Sequence, residues 1–157
     1  MKYFTISEMI HNGTAVERKI WNGADKELEN NLTALIENVL DPARERYGKP
    51  IRVSSGFRCP KLNSAVGGAL QSQHMKGEAA DIYTDEGPQG NLELGRIIMA
   101  LGKFDQLIFE NVPGTHLLPQ WLHVSWKRGG GNRKDVRKKV IGSNSYPLVE
   151  RKEVLGV

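Results

Sequence analysis

Cysteine is almost missing from this 157-residue sequence. Cys59 is the only one, which excludes an intrachain disulfide and any cysteine-built zinc knuckle; it is expected to be a buried or half-buried thiol. Long hydrophobic runs are missing as well. No segment approaches the roughly 20 consecutive apolar residues that a membrane-spanning helix needs, so no membrane partner is expected. The opening MKYFTISEMIHNG holds no continuous apolar stretch of signal-peptide type, and the sequence as written predicts a soluble product that is cytoplasmic as synthesised. Internal repeats and low-complexity linkers are likewise absent, and the length fits a single domain over residues 1–157.

What is present is enough for one ordinary core. Apolar residues make up 39% of the chain and charged residues 25%, the mix of a globular protein that folds without covalent staples. The net charge is +4. The excess lies towards the end, in Lys127, Arg128, Arg133, Lys134, Arg137, Lys138 and Lys139, which marks a basic extension over 127–157. Such a segment favours anionic surfaces. It has no interleaved aromatics, and Gly129-Gly130-Gly131 reads as a turn; a solvated or polymer-binding strand is expected rather than a nucleic-acid contact.

Periodicity supplies the elements. Leu28, Leu32, Leu35, Ile36, Val39 and Leu40 share one face at helical spacing, predicting an amphipathic helix over Asp25 to Leu40. Pro42 ends it or begins another turn, and Gly48 is a natural stop. Ile51 to Val53, Ala79 to Tyr83, Gln106 to Phe109, Trp121 to Trp126 and Val136 to Ile141 read as strands. Short and long helices are expected around Lys61 to Val66 and Leu94 to Leu101, the latter ended by Gly102. Helices precede and interrupt strands without a βαβ alternation, which predicts an α+β fold with an antiparallel sheet and flanking helices.

Chemistry concentrates in Ser72-Gln73-His74-Met75-Lys76-Gly77-Glu78-Ala79-Ala80-Asp81. His74 offers an imidazole nitrogen and Asp81 a carboxylate oxygen, and Gly77 lets the chain turn between them. Strand alternation puts Asp81 on one face and Ile82 on the other. In Trp121-Leu122-His123-Val124-Ser125-Trp126, His123 lies opposite an apolar face of Leu122, Val124 and Trp126. If the two strands are neighbours, two imidazoles and one carboxylate converge. That donor set with an open fourth place would describe a catalytic zinc site for one ion; spacing alone equally allows a surface His–Asp hydrogen-bond pair and a hydrogen-bonded sheet histidine at His123.

The run from Val53 to Asp81, with SGFRCP, LNSAVGG and SQHMKGEAADI, closely resembles the zinc D-alanyl-D-alanine peptidases, in particular small phage and bacterial members, and FDQLIFE and WLHVSW match as well. The resemblance covers about Lys2 to Trp126. It implies a fold like the hedgehog amino-terminal domain and the vancomycin-resistance dipeptidases, and a zinc ion on His74, Asp81 and His123. It also implies that Arg58 meets the substrate's carbonyl or carboxylate, a role for which a guanidinium is suited. Ser72 matches a family serine that either binds substrate or caps the turn.

One position departs from the pattern. Better-known relatives carry an acidic residue three places before the last histidine ligand; here that place is Gln120, which cannot accept a proton as a general base must. Glu110, closing Phe104 to Phe109, is the nearest substitute, and His116 is a candidate for stabilising the intermediate. The function implied is a zinc metallopeptidase, endolysin-like, cutting peptidoglycan stem peptide at D-Ala-D-Ala (carboxypeptidase) or L-Ala-D-Glu (endopeptidase), after release by lysis, a holin-type route or another export system. The alternative is a zinc-containing cell-wall-binding module of the same fold without catalysis. No nucleic-acid partner is expected, and a monomer is.

Overall fold

A computed structural model describes residues 1–156. Two short helices come first, α1 (Ile6–Ile10) and α2 (Gly13–Glu17). Thr5 caps α1 reciprocally with Glu8, and Asn12 accepts from the Ala15 amide to start α2. The long apolar face over 25–40 forms α3 (Lys26–Leu35), with Asp25 accepting from the Leu28 amide at its start. The helix then widens into one π turn (Ile36–Leu40) and continues as α4 (Asp41–Tyr47). Pro42 explains the widening: its ring and missing N–H spoil the regular ladder, and a π turn absorbs the mismatch without ending the helix. Gly48, at φ 78°, closes α4 in the left-handed region.

The remaining elements are β1 (Ile51–Ser55), α5 (Pro60–Ala65), a 3₁₀ turn (Gln73–Lys76), β2 (Ala79–Thr84), α6 (Gly87–Leu101), β3 (Gln106–Asn111), β4 (Pro119–Ser125), β5 (Asp135–Val140) and α7 (Arg151–Leu155). The five strands form one sheet in the order β1-β2-β4-β3-β5. Neighbours are antiparallel except β3 and β5, which run parallel. That pair departs from a purely antiparallel expectation for a simple reason. β5 runs opposite to β4 but seats itself beyond β3, which already runs opposite to β4. The fold is α+β as expected.

One face of the sheet packs on the helices. Ile82, Leu107, Phe109, Leu122 and Val124 are wholly buried and join Leu32, Leu35, Leu40, Leu94 and Ile98 in one core. Gly95 lets α6 lie directly on the Phe109 ring; a Cβ there would run into it. The basic extension is not an appendage. Val136, Val149 and Val154 belong to the same core, and Arg96 of α6 donates to the Val154 carbonyl at 2.9 Å. No described helix is long and apolar enough to cross a membrane.

Because the strand period is two, the opposite face carries Asp81, His123, Glu110 and Lys139 in neighbouring strands. This polar face is the floor of a cleft.

Candidate metal centre

Asp81 of β2 and His123 of β4 are register partners in the antiparallel ladder, which brings their side chains face to face. The third donor arrives from a turn. Ser72 accepts from the His74 amide at 3.2 Å and so starts the 3₁₀ turn, and Gly77 ends it at φ 69°. Arg58 donates its backbone N–H to the His74 carbonyl at 3.0 Å, tying the turn to the loop after β1.

The His74 ring, 2% exposed, has its Nδ1 2.7 Å from the Gly56 carbonyl. A carbonyl only accepts, so Nδ1 carries the proton and Nε2 is left with its lone pair aimed at Asp81. His74 Nε2 and His123 Nδ1 each lie 3.3 Å from Asp81 Oδ1, and all three donor atoms lie within 4.8 Å of one another. Those separations are long for charge-assisted hydrogen bonds. They match the edges of a tetrahedron: donors on arms of about 2.0–2.1 Å sit about 3.4 Å apart. The residues therefore fit a zinc ion. Among the described residues this is the only cluster of three or more His, Cys, Asp or Glu side chains so arranged, and a three-donor set leaves a place for solvent or substrate.

Electrostatics agree with this reading. Burial works against the Asp81 charge, but the flanking imidazoles outweigh it and hold the carboxyl well below the usual carboxylate range. The opposite holds at Glu110. Burial pushes its carboxyl up, with Asp81 adding to the shift, while Lys139 and His123 partly oppose it. Glu110 is 8% exposed, and its Oε2 has no hydrogen-bond partner. It is opposite Trp121, two places along β3 from Ile108, the partner of His123. Glu110 is thus a diagonal neighbour of the metal ligands.

Arg58 lines the same cleft from the β1 side. Burial lowers its guanidinium's proton affinity, the Asp81 charge raises it, and its Nε is buried without a partner. Its Nη2 lies 3.5 Å from Ser72 Oγ. Ser72 therefore caps the turn, and it also lines the cleft beside Arg58. The cleft has a volume of about 740 Å³, and five cationic side chains line it against three carboxylates.

Two candidates fall away from the site. His116 is exposed and occupied elsewhere, with Nε2 3.2 Å from Glu153 of α7 and Nδ1 3.1 Å from Lys138; it is not among the side chains lining the cleft. Gln120 is also outside it. It falls in the irregular step between the Glu110–Trp121 and Asn111–Pro119 pairs and is exposed. Asn91 of α6 holds that step in place, donating to the Pro119 and Gln120 carbonyls at 3.0 and 2.9 Å. Sequence reasoning missed Gly56, whose contribution is a backbone carbonyl. It also missed Lys139 and Tyr146 as cleft residues; the period-two alternation of Arg137 and Lys139 was the only available signal.

Two imidazoles and a carboxylate lie at the floor of an open cleft, flanked by a guanidinium and a second, buried carboxylate, a set that could hold one metal ion. Comparison places it. The peptidase M15 profile matches residues 2–124, and the chain belongs to that family. It is 42% identical over 66 residues to a zinc D-Ala-D-Ala carboxypeptidase of Streptomyces albus G; the match takes in 42% of this chain and 25% of that protein. The chain thus covers about a quarter of that relative's length. The crystal structure of the L-Ala D-Glu endopeptidase ChiX of Serratia marcescens is similar at 17% identity with a TM-score of 0.42, covering 65% of this chain and 87% of that one.

Proposed function

We propose that this chain is a zinc-dependent peptidase that hydrolyses an amide bond in peptidoglycan stem peptide, with D-Ala-D-Ala as the favoured bond and L-Ala-D-Glu as the other. The observation that carries the reading is the convergence of His74 Nε2, His123 Nδ1 and Asp81 Oδ1 within 4.8 Å at the floor of the cleft. A bound zinc would polarise the scissile carbonyl and make its water easier to deprotonate. Arg58, partly stripped of water, offers its N–H groups to the carbonyl oxygen as negative charge grows there. Glu110 takes a proton from the attacking water and passes it to the leaving amine. Its raised proton affinity suits the second half of that task, and its position off the metal ligands leaves it free for the first.

The second reading, a zinc-containing wall-binding module without catalysis, draws its support from Gln120. In this fold Gln120 is exposed at the irregular step of β4, and the buried carboxylate beside the ligands is Glu110. A buried carboxylate is thus available from a different strand, which supports the enzyme reading.

The experiment is digestion of purified peptidoglycan by zinc-loaded protein, with and without a chelator, and identification of the fragments by mass spectrometry. Release of D-alanine, or of fragments cut between L-Ala and D-Glu, that the chelator abolishes is the expected result. Retention on the wall with no new fragment under any metal tested would establish the binding module instead.

A further inference from the structure

We infer that Lys139 is the anchor for an α-carboxylate on the leaving amino acid, so that the chain selects amides whose leaving amine bears a free carboxylate on the adjacent carbon. The inference rests on the hydrolase reading above and says which substrates it accepts.

Lys139 lies on β5, outside the residues 2–124 matched by the family. Parallel pairing places it directly beside Glu110, with its side chain half-buried on the cleft face. Its Nζ is 3.9 Å from Glu110 Oε2, too far for a hydrogen bond, and 5.5 Å from the centre of the Tyr146 ring. No hydrogen bond is formed by that ammonium among the described residues, and Glu110 Oε2 has none either. The two groups thus form a loose ion pair with no hydrogen bond across it, an arrangement that a ligand offering an amine to one and a carboxylate to the other would complete.

The spacing identifies the ligand. In an α-amino acid the amine nitrogen and a carboxylate oxygen are three bonds apart, about 2.7–3.6 Å in space. A leaving amine receiving its proton from Glu110 would therefore present an α-carboxylate to Lys139. The other cations of the cleft are committed or differently placed. Arg133 is hydrogen-bonded to the buried Asp105 at 2.9 Å, and Lys127 lies 3.7 Å from that same carboxylate, which precedes β3 while Glu110 is near the far end of the strand. Arg58 stands on the opposite flank of the metal ligands, beyond β2, and Lys76 is at the exposed rim. Lys139 is the cation on the leaving-group side. The exposed Tyr146 ring lies within cation–π range of that ammonium, 5.5 Å from its centre.

Two stem-peptide bonds share this chemistry. A terminal D-alanine leaves with its α-carboxylate free, and so does a D-glutamate that is linked onward through its γ-carboxyl. The test uses the zinc-loaded full chain and four peptides: one ending in D-Ala-D-Ala, its C-terminal amide, one containing L-Ala-γ-D-Glu with a free α-carboxylate, and its α-amide. Whichever bond is cut identifies the source. In that pair the acid is expected to exceed the amide about tenfold or more in kcat/KM, mainly through KM, as loss of a charge-assisted hydrogen bond predicts. Lys139→Gln is expected to bring the acid-to-amide ratio to within about twofold, and Lys139→Arg to keep most of it. A ratio unchanged in Lys139→Gln overturns the inference. So does a parallel fall for acid and amide, which would mean that Lys139 only supports Glu110. If none of the four peptides is cut, the hydrolase reading fails on its own. Calorimetric titration of the same peptides then decides the anchor: tighter binding of the acid that Lys139→Gln removes upholds it, and equal affinity for acid and amide in the wild type overturns it.

Discussion

At the residue scale the site separates holding from turning over. On the proposed reading His74, Asp81 and His123 hold the ion, and Glu110 touches none of the contacts that orient them. Glu110→Gln is therefore expected to keep its zinc, measured by metal analysis, while kcat falls by about 10²–10⁴. Zinc retention with full turnover would remove Glu110 from the chemistry. Gln120→Ala is expected to stay within a few-fold of wild type in the same assay, since the side chain is exposed outside the cleft. Asp81 behaves differently from both. It is the donor shared by the two imidazoles, and Asp81→Asn is expected to weaken zinc binding before any effect on bond cleavage is read, in a competition titration against a chromogenic chelator.

At the scale of elements, the sheet and α6 place the site by close approach. Gly95 gives up its Cβ so that α6 can rest on Phe109, one residue before Glu110 on β3. Gly95→Ala is expected to destabilise the fold by about 1–3 kcal/mol through overpacking, seen as a lower urea midpoint, and to disturb Glu110 through its strand. Gly56 carries a comparable constraint. A methyl there would run into the Met9 backbone carbonyl, and the Gly56 carbonyl is the group that fixes the His74 tautomer. Gly56→Ala is thus expected to lower zinc affinity although it removes no ligand, because a partner of the ligand has moved.

For the whole molecule, Asp105 joins the parts. Fully buried, it receives Arg133 through two side-chain bonds and a backbone N–H, at 2.9–3.0 Å, and Gln73 from the metal-site turn at 3.1 Å. Burial opposes its charge, yet the Arg133 contacts bring its pKa from 3.8 down to about 2. A carboxyl with a depressed folded pKa contributes stability above its unfolded value and loses it as pH falls through the folded one. The contribution, about 2 kcal/mol, is expected to be complete above about pH 5 and to be lost progressively between about pH 5 and pH 1. Denaturant titrations of wild type and Asp105→Asn across that range check it: the variant is expected to be the less stable at pH 6, with the gap closing towards pH 2. Zinc adds to the same ledger from outside. Binding only the folded state, it is expected to raise the melting temperature, by an amount equivalent to about 2.7 kcal/mol at a hundred times the dissociation constant, and a chelator should reverse the rise.

Local patterning was enough to show much of this protein. Helical spacing marked α3 and α6, alternation told Asp81 from Ile82 and His123 from Leu122, and glycines at 48 and 102 marked helix ends. These signals are local: each depends on a period or on one residue's backbone freedom. Pairing is not local. That β2 lies beside β4 in the register joining Asp81 to His123, that β5 crosses to the far edge and runs parallel to β3, and that Gln120 falls in an irregular step outside the cleft are consequences of which strands meet and at what offset. Only packing over the whole chain sets those offsets, since a strand's side chains keep the same alternation whatever neighbour it takes. The ligand types could be read in the order of residues; Lys139 beside Glu110, twenty-nine positions away, was settled by the sheet.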